Sequence, residues 1–147
     1  MRLNRKDFFM KLAYTYAEQS TCCRRKVGAV VVRDDRELSA GYNGAPPGIE
    51  HCTPETCIRT KLNIPSGERQ ELCMGGHAEQ NAIANAAENG VAIKGSTLYC
   101  TTCPCAYCSK AIVRAGIIKV IYCEGYPDEI STKILKNIIV EKYEKQD

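Results

Sequence analysis

The chain has 147 residues, 44% hydrophobic and 25% charged, with a formal net charge of +3. That length fits one domain, expected over 1–147, and is enough to bury a core without staples. No apolar run approaches the roughly 20 residues of a membrane span, and no apolar stretch follows the polar start Met1-Arg2-Leu3-Asn4, so a membrane protein and a signal peptide are excluded and the cytoplasm is the expected location.

Asn4 is placed to cap a first helix, with Asp7 in its first turn. Phe8, Phe9, Leu12, Ala13, Tyr16 and Ala17 then recur at helical spacing toward an end near Ser20. Basic residues cluster only at Arg24-Arg25-Lys26. This is too little for the basic stripe of a duplex-binding protein, so no stable nucleic-acid partner is expected, but it is enough for one phosphate group. Residues 27–32 are β-branched and almost wholly apolar, a strand. Arg33-Asp34-Asp35-Arg36 reads as a hairpin turn, and a second strand runs over about 37–42. From 45 to 76 no period survives: Pro46, Pro47, Pro54 and Pro65 punctuate the segment, with Gly48, Gly67 and Gly75-Gly76. A loop that long inside a compact domain is functional or internally tethered.

A second helix is expected over 78–89, stopped by Gly90, and a strand over 96–101. Pro104 reads as the first-turn proline of a third helix over 105–115, ended by Gly116. A strand follows at 118–123 and a short helix at 128–135. Residues 138–143 read as an edge strand or as a continuation of that helix. The strand-helix-strand-helix-strand run from 96 onward predicts parallel strands with right-handed crossovers, and the opening hairpin adds an antiparallel pair. The expected fold class is α/β: a three-layer α-β-α sandwich whose mixed five-stranded sheet carries helices on both faces.

Ten cysteines are the outlying feature. In a chain without a secretory signal that number points to metal ligands or catalysis more than to disulfides. Two short segments focus the reading: His77-Ala78-Glu79, and Pro104-Cys105-Ala106-Tyr107-Cys108. Each opens a predicted helix, with a strand between them, and parallel crossovers bring both helix starts to one edge of the sheet. One imidazole and two thiolates then converge, leaving the fourth tetrahedral position of a zinc ion for water. Helix N-termini carry partial positive charge and favour thiolates. Glu79 is close enough to the histidine to hydrogen-bond that water and move protons without becoming a ligand. His-x-Glu followed by Pro-Cys-x-x-Cys is a pattern already known for zinc-dependent nucleobase deaminases, in which water adds at C4 of cytosine or C6 of adenine and ammonia leaves. The competing readings are a helix-capping His77 and a redox or packing role for Cys105 and Cys108. Cys100, Cys103 and Cys123 read as small buried hydrophobes; Cys105 is preferred over Cys103 as a ligand because it forms the two-residue gap with Cys108.

Beyond that pattern the chain resembles the deoxycytidylate (dCMP) deaminase family, of cytidine deaminase-like fold, including its late-competence-protein branch. The resemblance rests on Ser20-Thr21-Cys22 with Arg24 and Val27-Gly28-Ala29, on Gly41-Tyr42-Asn43-Gly44, on His51-Cys52, on the two site segments with Asn81-Ala82-Ile83, and on Ala115-Gly116-Ile117 and Tyr122. It implies hydrolytic deamination of dCMP to dUMP and ammonia, supplying dUMP for thymidylate synthesis, by a homo-oligomer, a hexamer being favoured. It implies a substrate-binding set of Arg24 for the 5′-phosphate, Asn43 for the sugar, and Ala78 and Tyr126 at the nucleotide pocket. The alternatives are a turn residue for Asn43, a solvated charge for Arg24 and plain packing for Tyr126. Family members are often activated by dCTP and inhibited by dTTP, with Mg2+ accompanying the triphosphate. Some hold a second, structural zinc, for which Cys22, Cys52, Cys57 and Cys73 fit, with Cys23 and His51 as substitutes for Cys22 and Cys52. The competing functions are deamination of another cytosine or adenine nucleoside or nucleotide (a tRNA adenosine included), a catalytically silent nucleotide-binding regulator, and a zinc-stabilised interaction module.

Overall fold

The computed structural model describes residues 1–145; the last two residues of the expected domain lie outside them. Helix α1 (Arg5–Ala17) starts as its sequence predicts, with Asn4 Oδ1 accepting the Asp7 amide at 2.8 Å. Strands β1 (Gly28–Arg33) and β2 (Arg36–Tyr42) form the hairpin. Its two turn residues, Asp34 and Asp35, both have positive φ, the conformation a two-residue hairpin needs and one that Asp tolerates. The 45–76 segment carries a short helix α2 (Ile58–Lys61) and one 3-10 turn (Gln70–Leu72), and is otherwise irregular. Then follow α3 (Ala78–Glu88), β3 (Thr97–Thr102), α4 (Ala106–Arg114), β4 (Lys119–Glu124), α5 (Glu129–Ile134) and β5 (Ile139–Lys142).

The sheet order is β2-β1-β3-β4-β5. β1 is antiparallel to both of its neighbours, while β3, β4 and β5 are mutually parallel. Two reversals make β2 parallel to β3, so the chain leaves both strands at the same edge of the sheet. Helix α3 begins after the first exit and α4 after the second. This is how two helix starts far apart in sequence come to one place, and it extends the expected parallel run back to β2. Of residues 138–143, Ile139–Lys142 form a strand, because β4 offers a free parallel edge and Ile138 N–H bonds back to Leu135 O, closing α5 before it can continue. One expectation needs correcting: Pro104 lies before the cap of α4, not in its first turn, since Cys105 is the cap.

Alternation along the strands builds a core on each face. Ala29, Val31, Leu98, Cys100 and Val120 face α3 and α4, packing on Ala78, Ala82, Ala86 and Ile112. Val30, Val32, Tyr99 and Ile121 face α1, packing on Phe9, Met10 and Ala13. The three layers are those expected, with α1 on one face and α3 and α4 on the other.

Helix α3 lies unusually close to the sheet. A Cβ built on Gly41 of β2 would stand 2.5 Å from the Ala82 nitrogen and 2.6 Å from the Ala78 oxygen, so only glycine admits the helix at this depth. Polar side chains then lash the helix to the strand: Ser39 Oγ donates to Ala82 O at 2.7 Å, Asn85 Nδ2 to Ala40 O at 2.8 Å, and Asn81 Nδ2 to Tyr42 O at 2.8 Å. The neck of the 45–76 insert is closed by a reciprocal backbone pair between Gly44 and Gly76, at 3.1 and 2.9 Å. His77, the cap of α3, therefore stands one residue beyond a fixed point.

Candidate active site

His77 is the cap residue of α3 and Cys105 that of α4, with Cys108 fully buried in the first turn of α4. The three side chains face one another. His77 Nδ1 is 3.3 Å from Cys108 Sγ and 3.4 Å from Cys105 Sγ. Their donor atoms all lie within 4.8 Å of each other, the one such His/Cys/Asp/Glu group among the described residues. The helix starts hold this geometry: the Cys108 amide donates to Cys105 Sγ at 3.5 Å, and the His77 amide to Gln80 Oε1 at 3.1 Å. His77 thus sits at a cap position, but its ring is turned to the sulfurs. Two sulfurs and an imidazole nitrogen suit zinc, and three protein donors leave one tetrahedral position open, so the residues present fit a catalytic zinc ion.

The ionisation pattern shows how closely the three groups are coupled. The Cys105 thiol falls to about 4, because Cys108 and His77 donate toward its sulfur against the opposing effect of burial. Cys108 moves the other way, through the same hydrogen bond and through burial. The two opposite shifts belong to one coupled pair, which shares one side-chain hydrogen bond. His77 rises, chiefly through its bond to Cys105. Glu79 is only 4% exposed, and burial pushes its carboxyl above the ordinary carboxylate range. Its charge reaches Cys100, Cys103 and Cys108, so it stands beside the sulfur cluster.

A cavity of about 320 Å³ opens here, and His77, Ala78, Glu79 and Cys105 form its catalytic side. Arg24 and Asn43 also line it. Asn43 is bonded on both ends of its amide: Oδ1 accepts the Val27 N–H and Nδ2 donates to Arg25 O, each at 2.8 Å. It therefore fixes the chain entering β1, while one N–H and one lone pair remain for a ligand. Arg24 reaches toward the insert, where Nη2 donates to Ile64 O at 2.7 Å. Tyr126 is not brought to the cavity; it is 79% exposed, with Lys142 Nζ 3.6 Å from its ring centroid. It follows Gly125, just past the end of β4, where the chain turns outward. Of the three cysteines read as buried hydrophobes, Cys100 is fully buried and Cys123 packs partly buried under α1, but Cys103 lines the cavity, its thiol pushed up to about 11 by burial.

The sequence reading singled out neither Arg25 nor Arg59, both of which line the cavity. Arg25 carried a signal only as part of the basic cluster. Arg59 carried none, because its position is set by the fold of an aperiodic insert. There its guanidinium donates to Cys73 Sγ at 3.2 Å and to Pro65 O at 3.3 Å. Cys22, Cys52, Cys57 and Cys73 lie in one neighbourhood: burial and then the charges of the other three raise the Cys52 thiol. All four line the same cavity as His77 and Cys105, yet they do not form a second ligand-distance group among the described residues. Cys57 caps α2 and falls to about 7, first through hydrogen bonding with Thr60.

Residues 3–124 match the family model described as the cytidine and deoxycytidylate deaminase zinc-binding region. The chain is 42% identical over 138 residues to a deoxycytidylate deaminase of Saccharomyces cerevisiae, a match covering 93% of this chain and 43% of the yeast protein. It is 36% identical to the deoxycytidylate deaminase of Enterobacteria phage T2, covering 80% of this chain and 78% of that one. Among solved structures it superposes on the dCMP deaminase of cyanophage S-TIM5, crystallised with dCMP and dUMP, with a TM-score of 0.77 and 34% identity over 97% of this chain and 99% of that one. The chain thus spans less than half the length of the yeast relative, and nearly all of the phage structure. With the trio and its glutamate at the joined helix starts, the chain belongs to the zinc-binding cytidine and deoxycytidylate deaminase family.

Proposed function

We propose that this chain is a deaminase that hydrolyses dCMP to dUMP and ammonia, with His77, Cys105 and Cys108 as metal ligands and Glu79 as the proton carrier. The observation that carries the reading is the His77–Cys105–Cys108 trio, with its donor atoms within 4.8 Å of one another and the buried Glu79 beside it at one wall of a cavity. The cavity volume, about 320 Å³, is within the usual range for a small-molecule site.

Zinc bound to the trio supplies a Lewis acid that brings the pKa of a water toward about 7. Glu79 takes a proton from the attacking water and gives one to N3 of the ring, which makes C4 electrophilic as the C–O bond forms. C4 becomes tetrahedral. Glu79 then helps deliver a proton to the exocyclic nitrogen, the C–N bond breaks, and ammonia leaves. A carboxyl raised by burial suits this work, because it must hold a proton between two transfers and release it again. Ala78, fully buried and lining the cavity at the first turn of α3, presents no side chain that would crowd a flat ring. Asn43 offers its remaining N–H and lone pair to the sugar, and an arginine of the 24–25 pair meets the phosphate. Tyr126, with its ring outside the cavity, reaches the nucleotide only if the chain around Gly125 turns inward.

The family resemblance supports three finer readings. Cys22, Cys52, Cys57 and Cys73 hold a second, structural zinc when it is present, drawing their thiols together. dCTP with Mg2+ activates and dTTP inhibits. The working form is a homo-oligomer, a hexamer being favoured.

The test is loss of cytosine absorbance on incubation of the zinc-loaded protein with dCMP, with and without dCTP and Mg2+. Conversion to dUMP is expected, faster with dCTP. No conversion under either condition, with zinc measured in the protein, removes the dCMP reading.

A further inference from the structure

Three arginines line the cavity, Arg24, Arg25 and Arg59, and one carboxylate, Glu79. The substrate's anionic end must meet one of these cations, and their anchoring separates them. Arg59 is committed to the insert, with hydrogen bonds to Cys73 Sγ and Pro65 O. Arg24 also points to the insert, through its 2.7 Å bond to Ile64 O. Arg25 has its partner on the sheet. Its Nη2 donates to Thr102 Oγ1 at 3.2 Å. Thr102 is the last residue of β3, three residues before the ligand Cys105, and it pairs in register with Glu124 of β4. The backbone of Arg25 is fixed as well, since its carbonyl accepts Asn43 Nδ2 at 2.8 Å.

Building on the deaminase reading, we infer that Arg25, held at its head by Thr102 and at its backbone by Asn43, is the residue that selects a nucleoside monophosphate over the free nucleoside, while Arg24 latches the insert against the cavity. A cation that discriminates by charge must stand at a set distance from the reacting atom, or its attraction displaces the ring from the metal site. Only Arg25 is anchored to the strand that leads into the metal ligands. A guanidinium with one hydrogen bond to the protein keeps N–H groups for a bidentate hold on phosphate. Arg24, tied to a loop, adds charge but no fixed position. Asn43 thereby acts as a positioning residue for Arg25 in addition to any contact of its own, and Thr102 is a second one.

The test compares dCMP with deoxycytidine, and dUMP with deoxyuridine, on the full-length zinc-loaded protein. Arg25→Gln is expected to raise KM for dCMP by about 10- to 100-fold, the scale of one or two charge-assisted hydrogen bonds. Its kcat should move little, and calorimetric binding of dUMP should fall toward that of deoxyuridine. Arg25→Lys should recover part of the loss, and Thr102→Val should give a smaller rise in KM for dCMP with the same kcat split. Arg24→Gln should change the dCMP-to-deoxycytidine ratio less than Arg25→Gln and speed protease cleavage within 45–76. A larger loss of monophosphate preference in Arg24→Gln than in Arg25→Gln overturns the assignment, as does an Arg25→Gln protein that keeps the wild-type preference in both kinetics and dUMP binding. Wild-type protein with no preference for either monophosphate overturns the dCMP reading itself, and the assignment with it; that outcome is recognised before any variant is made.

Discussion

The His77–Cys105–Cys108 trio and a second set of cysteines, Cys22, Cys52, Cys57 and Cys73, gather around one cavity, yet the fold treats them differently. His77, Cys105 and Cys108 are already at ligand distance. They stand on helix starts whose positions are set by sheet pairing, by the Gly44–Gly76 bridge and by the side-chain bonds that lash α3 to β2. Cys22, in the loop before β1, and Cys52, Cys57 and Cys73, on a segment with two short helical turns and little core, lie in one neighbourhood but remain apart. In the first region the scaffold makes the site, and a metal completes it. In the second, any metal would have to make the structure, so that its binding free energy is largely folding free energy. The contrast predicts that stripping metal has opposite signatures at the two walls.

The largest effect that sharpens this contrast lies at the preformed wall. Glu79→Gln is expected to lower dCMP turnover by about a thousandfold, within the range of general acid–base catalysis, with unchanged metal content by elemental analysis. A comparable fall accompanied by metal loss would mean that Glu79 holds the site together and does not act in the chemistry. Next in size, removing metal with a strong chelator should abolish turnover while amide hydrogen exchange in α3 and α4 stays slow. Exchange should rise sharply within 45–76. Equal loss of protection at both walls would break the contrast.

Cys57→Ser and Cys73→Ser should each lower metal content by one ion per chain and lower Tm, with the catalytic metal retained. Asn43→Ala removes one part-buried and one exposed hydrogen bond and should cost about 1–2 kcal/mol of stability in a denaturant titration. A smaller effect tests Glu79 without catalysis. Its carboxyl is raised in the folded metal-free protein, so between the unfolded and the folded pKa the folded state holds a proton that the unfolded state has released. Stability from this group is therefore present below the unfolded carboxyl pKa and declines as pH rises through the folded one. Metal-free Glu79→Gln should melt higher than metal-free wild type at neutral pH, and the gap should close on acidification. A gap independent of pH would assign the difference to packing.

Much of this was legible in the residues. The caps at Asn4, the hairpin at Asp34-Asp35 and the helix stops at Gly90 and Gly116 are local signals, and each lies where the structure has it. The clustering of His77, Cys105 and Cys108 was legible because their spacing places each at a helix start, and helix starts at one sheet edge converge. What the sequence hid depends on long-range approach. Nothing local in β2 announces that it runs parallel to β3 with β1 between them, although that arrangement is what joins the two motifs. Arg24 and Arg25 are neighbours in a basic cluster, and only the fold sends one to Ile64 and the other to Thr102. Tyr126 carried a family expectation that its exposed ring does not meet. Arg59 sits in an aperiodic stretch where a residue's partners follow from no pattern. Asn81 and Asn85 look like ordinary polar helix residues, and their role as tethers appears only with β2 alongside.

The close seating of α3 on Gly41 reaches further than packing. The space there is smaller than a methyl group, and the helix above it carries His77 at its tip and Glu79 in its first turn. Adding that methyl would lift the helix and carry His77 and Glu79 away from two sulfurs that belong to another element. A misplacement of about 1 Å at reacting groups costs on the order of a hundredfold in rate. A saturation screen scored on growth or turnover would therefore rank Gly41 beside Glu79, though no atom of Gly41 meets the substrate. Intolerance at such a position is a record of tolerances in the machine, and only a metal-affinity readout, which registers a displaced His77, distinguishes it from chemistry.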